Sequence, residues 1–445
     1  MNSLTRQLAD WACALEYEQL PAEVVCRLRS CVLYQLGIGL AGYTLESPYQ
    51  VHRLMLAEGA AGQASLLLGG RSSAMNAAYA NATLFHARVQ DDTHHTSHLG
   101  TALIAAGLAL AEARGANGRQ LMTALAAGYE VAAALGREYT SATTPRGFRA
   151  SGLFAGLGAA VVAARLLQLD EAATSHALGI AATLASGTIQ PFASGTEEFL
   201  LHNAQAARNG ILAGLMAEQG MLAAEAALDG PAGFLQAFAG KLVDNEAVTG
   251  RLGEHFELLQ VTFKAVPVCA GNQAPLFNAM TLGGLLSQSD VGDIERIRIE
   301  MNPYEAHHPG IANRGPFRSR IQTLMSTPFC VALGLLGREP TMAALHDFDD
   351  ADILRLVQRS EVVANADLPM LHSSICLQLS DGRGLSNRFR LAEADLHWSW
   401  QHTRSQVTGL LEQMPISAAW LQQRIDSIAQ LEHHQDWAWL LDIRR

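Results

Sequence analysis

TALIAAGLALAEARGANGRQLMTALAAGYEVAAAL, residues 101–135, decides the class of fold. Apolar residues recur at helical spacing on both sides of Gly115, and no period-two alternation runs through the stretch. It reads as two helices, Thr101–Arg114 and Gly118–Leu135, with Gly115 as the stop signal between them. Alanine and glycine dominate both. Small side chains let helices approach closely, which predicts a compact multi-helix layer rather than a coiled coil. The apolar run Thr101–Ala111 is shorter than the roughly 20 residues a bilayer crossing needs, so it reads as buried helix.

The same spacing extends outward over Glu23–Ala41, Met75–His86, Leu153–Leu167, Asp170–Ala185 and His202–Gln219. Gly147 and Gly220 are further stops, and Asp170 and Thr341 are placed as N-caps. Near residue 257 the period changes. Ile297–Met301 and Ile375–Leu379 alternate as half-buried strands, the second running into a Ser380-Asp381-Gly382 hairpin signal. Between them Arg320–Leu336 and Met342–Arg359 read as helices. The tryptophan-bearing tail returns to helical pattern. The expected architecture is mainly α: a helical domain from both chain ends, 1–256 and 393–445, and a smaller α+β domain over 257–392.

At 49% hydrophobic and 16% charged residues the 445-residue chain is not a disordered one. A formal net charge of -11 argues against nucleic acid as a partner. An anionic substrate would need a local Arg/Lys cluster to overcome that field. The N-terminus has no positive start followed by an apolar run, and none of the six cysteines forms a C-x-x-C pair. Both point to reduced thiols in a cytoplasmic protein with no membrane association.

The densest polar cluster is Gln90-Asp91-Asp92-Thr93-His94-His95-Thr96-Ser97-His98-Leu99-Gly100. Two carboxylates and three imidazoles in eight residues are costly to bury without purpose. Three readings stand: proton chemistry by histidine, a metal site from His94, His98 and Asp91, or a capping loop with exposed histidines. Only Lys241 and Lys264 are lysines, and Lys264 lies inside the apolar run 261–269. There it pairs with an anion, loses its proton, or extends its ammonium to the surface. Cys269 follows in a proline-containing turn, as a nucleophile or as an inert buried thiol. Arg146 and Arg149 flank a helix start that suits a carboxylate, or make an ordinary basic loop. His307, His308, His433 and His434 read as surface pairs without a role.

Five motifs stand in a telling order. Asn81–His86 with Asp91-Asp92-Thr93 and His98-Leu99-Gly100 resembles the N-G-x-x-x-H, D-D-T and H-P-G stretch of the MmgE/PrpD family. Gly128–Val131 resembles its G-Y-E-V helix, and Gly147–Gly152 its G-F-H-x-T-G. Phe263-Lys264 with Pro267 and Cys269 resembles its K-x-x-P-x-C turn, and Ser326–Phe329 its F-S-x-P helix start.

The resemblance implies a cleft between a helical domain and an α+β lid, commonly in a homodimer, working on a small polycarboxylate with no metal or organic cofactor. It implies dehydration or decarboxylation by proton abstraction and donation next to a carboxylate. Alternatives are epimerisation of a dicarboxylic acid, a non-catalytic polyacid binder, or the metal-dependent hydrolase of the His94 reading. Carried over, it makes Asp92, Thr93, His98, Lys264 and Tyr304 catalytic; the expected physical scheme has Arg149 and Lys264 binding carboxylates and His98 as general base or acid, oriented by Asp92 and Thr93. It sets Asp91, Arg149, His202, Cys269 and Gln273 around the substrate. The chain departs from the pattern at Val89, where an acidic residue is usual; at Arg149, in place of histidine; at Phe199, where no lysine precedes His202; and at Cys269 or Gln273, where a histidine is expected.

Overall fold

The structure, a computed structural model, describes residues 2–443. It is mainly α with a small α+β part: twenty-two α-helices and six strands among the described residues. Two hydrophobic cores organise them.

The first core is built from Ala22–Ala41, Ala74–His86, Leu99–Arg114, Gly118–Thr143, Ala150–Leu166, Glu171–Leu184 and Leu200–Glu218. Gly115 takes the left-handed conformation that closes its helix, and the Asp170 carboxylate accepts from the Ala173 N–H at 2.8 Å. The small residues bring backbones together. A Cβ on Gly128 would lie 2.7 Å from the Gly158 carbonyl, and one on Gly210 2.4 Å from the Ala159 Cβ. Helix Ala22–Ala41 is long and apolar enough to cross a membrane, but it is mostly buried within this core. The C-terminal segment packs here too: Trp398 stacks on Phe263 at 5.1 Å, and the Trp437 indole donates to the Ala116 carbonyl at 2.7 Å.

A short ribbon, β1 (Ala64–Ser65) and β2 (Arg71–Ser72), decorates the helical layer. The second core lies on a four-stranded sheet, β3 (Ile294–Met301), β4 (Ser360–Ala364), β5 (His372–Leu379) and β6 (Gly384–Arg390), in the order β4-β3-β5-β6. β3 runs parallel to β4 and antiparallel to β5. Helices Ala270–Gly283, Thr327–Leu335 and Ala351–Gln358 share its core through Leu276, Phe329 and Ile353.

Two predicted helices are broken. Arg320–Leu336 divides at Ser326, which is extended and whose hydroxyl caps the next helix at the Phe329 N–H, with Pro328 in its first turn. In place of a helix over Met342–Arg359 there is one 3-10 turn, Ala344–His346, and then a helix starting at Ala351. The Asp350 carboxylate accepts from Asp352 and Ile353 and starts that helix anew. The parallel strand β4 follows, where sequence periodicity had pointed to none.

Candidate active site

Val89, Phe192, Phe199 and Leu200 leave the helical layer to join the second core. A cleft of about 990 Å³, mouth included, opens beside them, walled by both cores. Its polar lining includes Thr93, His98, Arg149, Lys264, Tyr304 and Glu305.

Four non-glycine residues among those described have positive φ, and three of them, Val89, His95 and Leu371, line this cleft. Strain of that kind persists where surrounding structure imposes it. At Val89 (φ 53°) it turns the carbonyl onto Lys264, whose ammonium donates to it, while the Val89 N–H donates to the His86 carbonyl at 2.9 Å.

Asp91 is fully buried behind the lining residues His98 and Lys264. The His86 Nδ1 lies 3.0 Å from both its oxygens, and the Thr101 hydroxyl donates to Oδ2 at 2.7 Å. Lys264 Nζ is 3.7 Å from Oδ1. His98 Nδ1 is 3.0 Å from Oδ2, within ion-pair range but off the hydrogen-bond direction. Burial alone would raise the Asp91 pKa, but His86, His98 and Lys264 together hold it well below the carboxylate range. Burial pushes His98 down to about 3 against the pull of Asp91, so its imidazole is neutral at neutral pH. The His98 N–H donates to Ser151 Oγ at 2.9 Å, tying the residue to the start of helix Ala150–Leu166.

Adjacent carboxylates diverge. Asp92 turns away from the cleft, accepting from Gln35 and from the Tyr129 hydroxyl, both at 2.7 Å. Burial first, and then the Asp91 charge, drive it up to about 7. The expectation that Asp92 orients His98 is therefore corrected: Asp91 stands beside His98, because consecutive side chains on this segment face opposite ways. Asp91 in turn has no surface for a substrate, being 0% exposed.

Thr93 pairs its backbone with Thr262 in both directions at 2.8 Å, and its hydroxyl, lacking a protein partner, lines the cleft. Tyr304, on the short helix Pro303–Ala306, also brings an unpartnered hydroxyl there. Lys264 is 2% exposed, and burial lowers its pKa while Asp91 supports the charge. Cys269 is half-buried in the wall, and burial keeps its thiol protonated. Two expected substrate residues lie elsewhere. Gln273 spends its amide on the Val266 and Val268 carbonyls, and His202 sits against Gly187, outside the cleft lining.

Sequence reasoning passed over Glu305 and His308. Glu305 lines the cleft, takes the Leu371 N–H at 3.1 Å, and is raised by burial to about 7. Its only signal was adjacency to Tyr304. His308 is a cleft residue beside the Phe192 ring (5.6 Å), not a surface one.

The predicted metal set is not assembled. His94 Nε2 faces Glu257 at 3.0 Å, in a network with Arg137. The donor atoms of His86, Asp91 and His98 do lie within 4.8 Å of one another. Two cations already attend them, Arg149 at 2.6 Å from His86 Nε2 and Lys264 beside Asp91. The cluster's charges are thus matched to an anion entering the cleft, not to a dication.

Fold and site together define an α-helical enzyme class with an acid–base cleft carrying fixed positive charge. A family model for the MmgE/PrpD N-terminal domain matches residues 6–245, and the chain belongs to the MmgE/PrpD family. It is 25% identical over 370 residues to a cis-aconitate decarboxylase of Aspergillus terreus, covering 78% of this chain and 75% of that one. It is 27% identical over 287 residues to the cis-aconitate decarboxylase-like protein oryM of Aspergillus oryzae (61% and 59% covered). Over 246 residues it is 29% identical to human cis-aconitate decarboxylase (53% and 50%). At the level of the family, the function is that of a lyase.

Proposed function

We propose that this protein is a lyase for a small aliphatic di- or tricarboxylic acid, working by proton transfer at a carbon next to a carboxylate. The observation that carries this is one juxtaposition: a neutral His98 backed by the buried Asp91 carboxylate, with Lys264 and Arg149 in the same cleft wall. A carboxylate of the substrate lies against Lys264. When the neighbouring carbon loses its proton to His98, the electron pair spreads into that carboxylate, and the fixed positive charges stabilise it. In a decarboxylation the C–CO2 electron pair stays on the carbon framework, CO2 leaves, and a proton that His98 has taken up from solvent is delivered to carbon. The decarboxylase names of the relatives favour this direction. The departures at Val89, Phe199 and Arg149 alter the polar groups around the substrate and bear on which acid fits.

The test is a panel of cis- and trans-aconitate, citrate, 2-methylcitrate and iminodisuccinate followed by NMR. Conversion of at least one acid, with CO2 or water released, is expected. No conversion of any, together with no solvent exchange at any of their carbons, overturns the proposal.

A further inference from the structure

Arg149 looks at first like a clamp for the substrate carboxylate, yet its guanidinium is committed inward. It is 4% exposed. Nη1 donates to the Phe199 carbonyl at 2.6 Å, and Nη2 lies 2.6 Å from His86 Nε2. Its flat face packs on the rings of Phe192 and Phe199, 5.2 and 5.4 Å from their centroids. Its own N–H donates to the Gly187 carbonyl at 3.1 Å, fixing the backbone as well.

A guanidinium only donates. The His86 Nε2 it faces must therefore carry a lone pair and no proton. A neutral imidazole has one donor nitrogen, so the ring proton sits on Nδ1, which points at Asp91 at 3.0 Å. The opposite tautomer would set a proton against Arg149 and a lone pair against the carboxylate, two repulsive contacts in a buried place. Asp91 then passes the constraint on: with one side filled by His86 and Thr101, its Oδ2 is held 3.0 Å from His98 Nδ1. The His86 and His98 rings stand 4.8 Å apart, so one cannot reorient without displacing the other.

We propose that Arg149 and His86 are positioning residues, forming with Asp91 a chain that fixes the orientation of the His98 ring and leaves its Nε2 free for the substrate. This rests on the reading of His98 as the proton-transfer group. It differs in its account of Arg149, which serves the imidazole and not the substrate. The groups facing His86 are Arg149, Asp91, His98, Lys264 and His202. Burial lowers its pKa to about 4, with Arg149 adding to the lowering, which agrees with a ring kept neutral by its surroundings.

The test is long-range proton–nitrogen NMR of the full chain labelled with 15N-histidine, with His86→Gln identifying the His86 signals. In the wild type, His86 is expected to be neutral and protonated on Nδ1 from pH 5 to pH 8. In Arg149→Met, loss of the neighbouring cation is expected to move its titration up by about 1 to 3 pH units. Protonation on Nε2 in the wild type, or an unchanged titration in a folded Arg149→Met, overturns the proposal. The wild-type tautomer is read without Arg149→Met, so it decides even if that variant fails to fold. Steady-state kinetics add a second readout. A positioning role lowers kcat of Arg149→Met with KM little changed, whereas a raised KM at constant kcat marks a substrate clamp and overturns the proposal. The NMR result is independent of turnover: the predicted tautomer in a protein inactive on every acid would contradict the proposed function while leaving the chain from Arg149 to Asp91 standing.

Discussion

Lys264 shows how much of the chemistry depends on a single residue. Its ammonium is held by the strained Val89 carbonyl and lies 3.7 Å from Asp91, so the charge is fixed at the cleft wall before any substrate arrives. Lys264→Met removes that charge and leaves Asp91 less compensated; turnover is expected to fall by about 100-fold or more, the scale of one lost electrostatic stabiliser. Steady-state rates on the accepted acid check it, and a rate within a few-fold of wild type would refute it. His202 makes a prediction of different sign. Burial first, then Arg149 and His86, lower its pKa to about 3. The unfolded chain therefore takes up a proton at this ring below about pH 6.5 that the folded chain refuses. Wild type is fully stabilised with respect to this group above that pH and loses stability as pH falls toward the folded value. His202→Asn, which cannot titrate, is expected to look worse relative to wild type at pH 7.5 than at pH 5, by on the order of 1–2 kcal/mol in urea unfolding. At this scale the sequence announced that Lys264 and His98 mattered, one as a rare lysine in an apolar run and the other as part of a histidine cluster. It could not say which of two neighbouring carboxylates faces His98, because that depends on the long-range partners of each, His86 and Lys264 for Asp91 and Gln35 and Tyr129 for Asp92.

Among the elements, helix Leu99–Arg114 matters most to the site, since it begins one residue after His98. Gly100 in its first turn lets Asp92 and Tyr129 close in: a Cβ there would lie 2.3 Å from the tyrosine oxygen and 2.5 Å from both Asp92 oxygens. Gly100→Ala is expected to destabilise the protein by about 1–3 kcal/mol through overpacking and to lower turnover by shifting the 91–98 segment. Chemical unfolding measures the first, and no loss of stability would contradict the packing described. Helices of the first core were legible because their Ala/Gly-rich faces repeat over many turns and end at glycines such as Gly115. Elements around the sheet were less so. Ser326 and Asp350 act as caps inside stretches that otherwise keep a helical period. The strand β4 is five residues long and acquires its identity from pairing with β3, a long-range fact that no local window contains.

Over the whole molecule, a net charge of -11 surrounds a cleft whose wall carries two buried cations, Lys264 and Arg149. The pattern explains how an acidic protein can take an acidic substrate: the long-range field is screened within roughly 8 Å at physiological ionic strength, while the Lys264 ammonium acts at contact. An accepted polyacid binding across both cores is expected to stabilise the fold by about 2.7 kcal/mol at a concentration 100 times its Kd. Its neutral ester is expected to do far less, and equal thermal shifts for the two would contradict the electrostatic account. The mainly α class could be read from helical periodicity and the family from motif order; the walls of the cleft could not, since Glu305, His308 and Leu371 come from the sheet-side core and meet the helical layer only after folding. The central claim, that His98 moves a proton at a carbon beside a carboxylate, has a direct measurement: deuterium incorporation from heavy water into an accepted acid or its product, compared between wild type and His98→Gln. Incorporation at one carbon is expected from the wild type, with a loss of at least about 100-fold in the variant. Incorporation at an undiminished rate by a correctly folded His98→Gln would contradict it.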